Sequence, residues 1–200
     1  MQHKSGLVLL DALRAVGELL AAEGERIGIV VVGGAAMVLG KHAARLTEDV
    51  DIIALGRGWN RGTPAGITSP DPLPVALLQA ASRVARDFNL PDAWMNSTVG
   101  AQWKTGLPRG FGKRVKWLRY GGLFVGVADR RDLIFLKLYA AVDSEGPESV
   151  HYQDLLALNP TKSELRAAVR WVRSQDPSPA FAEILVKVMR HVRRNQEEPD

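Results

Sequence analysis

The sequence predicts an α+β fold, with a small mixed β-sheet flanked by helices and a C-terminal helical segment. Two apolar runs, at residues 27–32 and 50–55, are typical of buried strands because β-branched residues dominate them. Residues 115–120 and 123–128 are also strand-like and meet at Gly121-Gly122, which suits a hairpin turn. The last third of the chain has the spacing of helices.

The first helix is predicted over residues 6–23, where leucine and valine recur at helical spacing up to Gly24. The strand at 27–32 is broken by Gly33-Gly34, and a short helix is expected over residues 35–44. The second strand begins at Asp49.

The middle of the chain is predicted to be a long surface loop followed by a helix. Residues 56–74 are rich in Gly, Pro, Ser, Thr and Asn, which favour turns and loops. Residues 75–88 return to helical spacing. Trp59, inside the predicted loop, is a candidate lid or base contact beside the acids of the second strand.

The C-terminal helices carry clear start signals. We predict helices over residues 130–142 and 148–158. Thr161 and Glu164 form a capping box, in which each side chain bonds the backbone N–H of the other. Ser178-Pro179 is a favourable opening for the last helix.

The bulk composition is that of a globular protein. Of 200 residues, 46% are hydrophobic and 24% are charged, which predicts one compact unit. We expect an α+β core over residues 1–143 with a helical segment, 144–200, packed on it. The chain has no cysteine, so disulfides, thiolate metal sites and a cysteine nucleophile are excluded.

Location is predicted from the apolar stretches. Those at the N-terminus are interrupted by charged residues, so no export signal is expected. No stretch approaches the ~18 uninterrupted apolar residues that a membrane span needs. We therefore expect a cytoplasmic protein with no membrane partner.

The candidate site centres on Asp49 and Asp51. Because side chains alternate along a strand, these two carboxylates are expected on the same side. Like charges repel each other, and a shared cation relieves the repulsion. Mg²⁺ prefers a few carboxylate oxygens, with water and phosphates completing its shell. The Gly33-Gly34 turn lets backbone amides approach a phosphate that a side chain would block.

Together these residues resemble the first motif of the nucleotidyltransferase fold superfamily. That superfamily includes DNA polymerase beta, aminoglycoside nucleotidyltransferases and many toxin–antitoxin proteins. The motif is carried by Gly33-Gly34 and by Asp49-Val50-Asp51. Arg45 and Thr47, just upstream of the acids, resemble the bacterial branch of uncharacterised and toxin-like members.

Further resemblance to that branch lies later in the chain. It is found in Trp94-Met95-Asn96, in Leu136-Lys137-Leu138 and in Asp154-Leu155-Leu156. The resemblance covers roughly residues 25–160, and its first motif is the specific one.

The resemblance implies an Mg²⁺- or Mn²⁺-dependent transfer of a nucleotide from an NTP to a hydroxyl of RNA or protein. It implies metal ligation by Asp49 and Asp51. Lys137 would then hold a phosphate, and Asp154 would orient Lys137 or act as a general base. The catalytic positions are thus Asp49, Asp51, Lys137 and Asp154, and the nucleotide-binding positions are Gly33, Gly34, Arg45, Thr47 and Lys137.

Three departures leave an alternative open. The spacer between Gly34 and Asp49 is about one residue longer than in the family pattern, and glycine stands at position 34 where many active members have serine. The third metal carboxylate has no clear match, since residues 115–128 contain no acid. The alternative is a catalytically degenerate member that binds nucleotide, RNA or a protein partner, such as a cognate antitoxin.

A basic stretch is the candidate surface for an RNA acceptor. Although the net charge is only +4, residues 101–120 carry six basic side chains and no acid. Such clusters attract polyanions, and a solvated basic face is the alternative. The six residues are Lys104, Arg109, Lys113, Arg114, Lys116 and Arg119.

Competing enzyme classes lack their motifs. The glycines after the first strand do not form GxGxxG, so a Rossmann dinucleotide site is poorly supported. No GxxxxGK[ST] is present, which excludes a P-loop, and no serine has the GxSxG setting of a nucleophile elbow.

Overall fold

The structure is a computed structural model that describes residues 3–43, 47, 49–144 and 146–197, with side chains from residue 8 onwards. The chain forms two compact units, Met1–Asp129 and Arg130–Asp200. The division lies earlier than the one predicted after residue 143, because the helix that begins at Arg130 packs against the later helices.

The first unit is the α+β part of the chain. Its helices are α1 (His3–Ala22), α2 (Gly33–Leu39), α3 (Val75–Phe88), α4 (Ala101–Thr105) and α5 (Phe111–Arg114), with a 3₁₀ turn at Thr98–Gly100. Its strands are β1 (Ile27–Val31), β2 (Val50–Asn60), β3 (Thr63–Thr68), β4 (Met95–Asn96), β5 (Lys116–Tyr120) and β6 (Leu123–Val127).

These strands form a mixed sheet. Within the described residues the order is β3-β2-β1-β6-β5, and β4 pairs with β2 off this path. β1 is antiparallel to β2 and parallel to β6, whereas β4 is parallel to β2. All residues of β1 and β6 are buried, as expected of central strands, whereas the edge strand β5 is largely exposed. The predicted mixed sheet flanked by helices is confirmed.

The helix α1 covers the core with one apolar face. Leu9, Leu13, Val16 and Leu20 recur at helical spacing and are buried. α1 packs against α3, whose buried face includes Leu77 and the alanines of its middle turns.

The predicted loop at residues 56–74 is wrong over its first two thirds. β2 continues to Asn60, and a two-residue turn leads into β3. Arg61 and Gly62 have φ of 49° and 83°, as a type I′ hairpin turn requires. The glycines that suggested a loop instead allow close approach, since a Cβ at Gly28 or Gly56 would lie 2.8 Å from the ring of Pro64.

The regular structure described for the second unit is helical. It consists of α6 (Arg130–Asp143), α7 (Val150–Ala157), α8 (Lys162–Gln175) and α9 (Pro179–Glu197), with a 3₁₀ turn at Gly146–Glu148. α6 packs against the other three helices. This confirms the predicted helical C-terminal segment. The helices of the described residues include none with the length and apolarity to span a bilayer.

The capping box at the start of α8 is present and extends to a third partner. Thr161 Oγ1 accepts from Glu164 N at 3.2 Å, and Thr161 N donates to Glu164 Oε2 at 2.8 Å. Arg130, on α6, donates to Glu164 Oε1 at 2.7 Å and to the carbonyl of Leu158 at 3.0 Å. The Arg130 guanidinium therefore joins α6 to the start of α8 and lowers the pKa of Glu164 to about 2.

Candidate active site

Gly33 sits where β1 ends and α2 begins. Its φ is +62°, in the left-handed region that favours glycine. A side chain at this position would collide with Oδ2 of Asp51. The Asp51 carboxylate therefore lies directly against the α-carbon of Gly33, at the carboxyl end of a central strand.

The backbone fixes Asp51 in this position. Val32 N donates a 3.0 Å hydrogen bond to the carbonyl of Asp51, beside a β-bulge at Val30–Val31. On its other side, β2 pairs with β4, which sets Asp51 opposite Asn96. Asp51 is half-buried, so its carboxylate is constrained and still reaches solvent.

Asp49 lies immediately before β2 and is exposed. Thr47 Oγ1 donates to Asp49 Oδ1 at 2.8 Å and approaches the Asp49 carbonyl at 3.3 Å. Thr47 thus orients the Asp49 carboxylate. The prediction that the two carboxylates share one side of the strand remains a prediction. Arg45, predicted to contact nucleotide, lies outside the described residues.

The donor set of this site consists of two carboxylates. Among the described residues, no group of three or more His, Cys, Asp or Glu side chains is arranged to hold a metal ion. Mg²⁺ commonly binds through one or two carboxylates while water and substrate phosphates complete its octahedron. Asp49 and Asp51, one exposed and one half-buried beside a glycine backbone, fit that kind of site.

Lys137 and Asp154 belong to the second unit and form an ion pair there. Lys137 Nζ lies 2.5 Å from Asp154 Oδ2, and each side chain is 3% exposed. The pair joins α6 to α7. The structure thus brings these two predicted residues together, and Asp132 on α6 is a further buried acid.

The predicted basic stretch is distributed over helix, loop and strand. Lys104 lies on α4, Arg109 in the following loop, Lys113 and Arg114 on α5, and Lys116 and Arg119 on β5. All are exposed except Arg114, which is half-buried and donates to the Arg109 carbonyl at 3.0 Å.

Sheet register divides this stretch. Lys116 pairs with Val127, which pairs with Val31 at the end of β1, so Lys116 lies two strands, or about 10 Å, from the start of the Gly33 turn. Arg119 pairs with Phe124 towards the opposite end of the sheet and stacks on its ring, 5.4 Å from the centroid.

Trp59 is not beside the two acids. It lies eight residues after Asp51 on the same strand, which is up to about 26 Å along β2. Its ring packs edge-on against Phe124 with centroids 4.9 Å apart. The role suggested for it as a lid or base contact depended on the loop that proves to be strand.

Asn96 is the site neighbour that the sequence did not identify as functional. Its signal was the Trp94-Met95-Asn96 triplet, but two residues are too few for strand periodicity to be recognised. β4 is held in place by Trp94, which is 1% exposed and donates from Nε1 to the Ala81 carbonyl at 3.0 Å.

Comparison with known proteins identifies a family for the chain. The family model described as "Nucleotidyltransferase of unknown function (DUF6036)" matches residues 9–157, which include every site residue discussed above. No curated protein and no solved structure matches the chain.

Proposed function

The chain belongs to the nucleotidyltransferase family DUF6036, and from that premise we propose that it transfers a nucleotide from an NTP to a hydroxyl group of RNA. The observation that carries the proposal is the Asp51 carboxylate against the α-carbon of Gly33. That contact joins an acid suited to a divalent cation to a backbone turn that phosphate can approach closely.

The residues of the first unit have separate roles in this proposal. Asp49 and Asp51 would hold Mg²⁺ or Mn²⁺, which neutralises triphosphate charge and stabilises the leaving pyrophosphate when bound. Thr47 orients Asp49 through its 2.8 Å hydrogen bond. Gly33 and Gly34 leave room for phosphate oxygens at the turn, and Arg45 would add a cationic contact.

In the second unit, burial favours one of the two roles suggested for Asp154. A general base must reach the acceptor hydroxyl, whereas the Asp154 side chain is 3% exposed and bonded to Lys137. Orienting the Lys137 ammonium is the role that this geometry supports. The Lys137 side chain is equally buried and bonded to Asp154, so the same argument favours a role in the helical unit over the direct phosphate contact that the resemblance implies.

The transfer itself is a substitution at phosphorus. The acceptor hydroxyl oxygen forms a bond to the α-phosphorus while the bond to the bridging oxygen breaks. Pyrophosphate leaves with the electron pair of that bond, and the hydroxyl proton passes to water. The protein's contribution is positioning and electrostatics, as in other phosphoryl transfers.

Label transfer tests the proposal directly. The full chain is incubated with α-labelled NTPs, MgCl₂ and total cellular RNA and protein. We expect label in RNA with release of pyrophosphate, and loss of both in Asp51→Asn. Label in protein would move the acceptor from RNA to protein. Nucleotide binding without transfer by the wild type would support the degenerate alternative.

Salt dependence tests the RNA acceptor. Replacing Lys113, Arg114 and Lys116 with Gln should flatten the log–log salt slope of RNA affinity by about two units, at roughly 0.7 per phosphate contact of a single strand. A matched control carries the same charge change on α8, at the exposed residues Arg166, Arg170 and Arg173. If the salt slope flattens equally in both variants, the basic stretch acts only as general surface charge.

The resemblance to toxin-like members adds a protein partner to the proposal. A cognate antitoxin would bind this chain and suppress transfer. Co-expression with genomic neighbours, followed by co-purification and the label-transfer assay, tests that part separately.

A further inference from the structure

We infer that Asn96 is a third residue of the cation site, where it supplies a neutral amide oxygen beside the Asp51 carboxylate. The inference rests on the proposed function, since it assigns a ligand to the same site. It concerns a residue on β4, a strand that the sequence alone did not reveal.

Strand register sets Asn96 next to Asp51. β2 and β4 are parallel, with Val50 opposite Met95 and Asp51 opposite Asn96. Neighbouring strands lie about 4.8 Å apart, so the two side chains start at that separation. Val50 and Met95 are 0% and 4% exposed, whereas Asp51 and Asn96 are both half-buried. The two polar residues therefore project to the same, more open face.

The Asn96 amide is held in one orientation. Its Oδ1 accepts from Thr98 N at 3.0 Å, and its Nδ2 approaches the Ala93 carbonyl at 3.4 Å. Because only the oxygen can accept from a backbone N–H, the first bond fixes which end of the amide is which. A carbonyl oxygen has a second lone pair, which is available to a cation or to one of its waters.

A neutral third ligand has a chemical consequence. Asp49 and Asp51 contribute two negative charges, which a divalent ion balances, and Asn96 adds none. A third carboxylate would attract the free ion more strongly than an amide does. We therefore expect weak binding of the ion alone and tighter binding together with triphosphate.

The competing explanation is that Asn96 only closes the turn to Thr98. The variant Asn96→Asp separates the two explanations, because a carboxylate can also accept from Thr98 N while it adds a negative charge. The added charge needs its own control, and Thr98→Asp supplies it on an exposed residue two positions along the chain.

The experiment is titration calorimetry of the full chain with MnCl₂ in the absence of nucleotide, with thermal melts to verify folding. We expect Asn96→Ala to weaken Mn²⁺ binding about tenfold, the lower end of what metal-site partners contribute. Asn96→Asp should tighten it by a similar factor. Thr98→Asp should change it at most about threefold, because exposed charges interact by well under 1 kcal/mol. Asp51→Asn should abolish it.

Two results would overturn the assignment of Asn96 without affecting the proposed site. One is equal Mn²⁺ affinity in wild type and Asn96→Ala while Asp51→Asn binds none. The other is a change in Mn²⁺ affinity for Asn96→Asp that is no larger than the change for Thr98→Asp. If Asn96→Ala fails to fold, this second comparison alone tests the assignment. Unchanged binding by Asp51→Asn would instead overturn the proposed site, and Asn96 with it.

Discussion

The two predicted pairs of ionisable residues are built in opposite ways. Asp49 and Asp51 carry like charges, lie near solvent, and contact a backbone turn and a threonine hydroxyl. Lys137 and Asp154 carry opposite charges, are each 3% exposed and lie 2.5 Å apart. One pair consists of like charges near solvent, and the other joins opposite charges inside the helical unit.

The difference indicates different roles: the two acids are suited to binding a ligand, whereas the buried ion pair supports the fold. Burying a charge costs several kcal/mol unless a partner compensates it, so Lys137 and Asp154 depend on each other. Asp49 is exposed and Asp51 is half-buried, so solvent weakens any repulsion between them. If the two carboxylates converge as the sequence predicts, a bound cation would relieve that repulsion. Variants of each pair should therefore differ in their free energies of unfolding.

The largest expected effect is on the buried pair. Lys137→Met removes the ammonium group that is bonded to the buried Asp154 carboxylate and should destabilise the protein by about 3–5 kcal/mol. The exposed pair Arg14–Asp11, 3.2 Å apart, provides the control: Arg14→Met should cost less than about 1 kcal/mol. Urea denaturation measures both. Adding Asp154→Leu to Lys137→Met should recover most of the lost stability. Equal costs for Lys137→Met and Arg14→Met would show that the buried pair contributes no more than an exposed one.

The next effect concerns the turn under Asp51. Gly33→Ala requires a left-handed alanine and pushes its Cβ into the Asp51 carboxylate. We expect the free energy of unfolding to fall by about 2–3 kcal/mol, which is more than the roughly 1–2 kcal/mol that the backbone conformation alone would cost.

Gly24 is a matched control for that variant. Its φ is +74°, and an added Cβ would meet no atom within 4 Å. Gly24→Ala therefore measures the backbone cost without the collision. Removing the carboxylate with Asp51→Ala should lower the cost of Gly33→Ala towards that of Gly24→Ala. A double-mutant cycle with no coupling would show that Asp51 does not lie against Gly33.

Local patterns in the sequence predicted the elements that local chemistry determines. The apolar runs around Gly33-Gly34, the Gly121-Gly122 hairpin and the Thr161–Glu164 capping box are all present. Each depends on residues within a few positions of one another. Their short range is the reason that they could be read from one sequence.

The features that were missed depend on distant residues. Gly56 resembled a loop residue, yet it allows Pro64 to approach the sheet over Gly28. β4 exists because Val50 donates to the Trp94 carbonyl at 2.5 Å, a pairing that no local pattern indicates. Asn96 could be connected to Asp51 only once that pairing was known.

A smaller effect is expected at the partly exposed ion pair of the second unit. Glu164→Gln weakens the bond to Arg130 and the capping box, and should cost about 1 kcal/mol at neutral pH. The pKa of Glu164 is lowered from 4.5 to about 2, so its contribution is complete above pH 4.5 and is lost as the pH falls towards 2. Melts of wild type and variant should converge over that interval. A constant difference down to pH 2 would assign the effect to packing.

The smallest effect has the opposite sign. Asp51→Asn keeps the shape of the side chain and removes one of two like charges near solvent, so stability should rise by no more than about 0.5 kcal/mol. Asp92→Asn, at an exposed acid outside the site, is the control for a change in net charge.

Mg-NTP should then separate the proteins: ligand at a hundredfold excess over Kd stabilises a binding protein by about 2.7 kcal/mol. Wild type and Asp92→Asn should show this shift and Asp51→Asn should not. Because the free proteins differ so little, a lost shift in Asp51→Asn reports binding rather than folding. A marked destabilisation of free Asp51→Asn would mean that this carboxylate supports the fold as Asp154 does, and the contrast between the two pairs would fail.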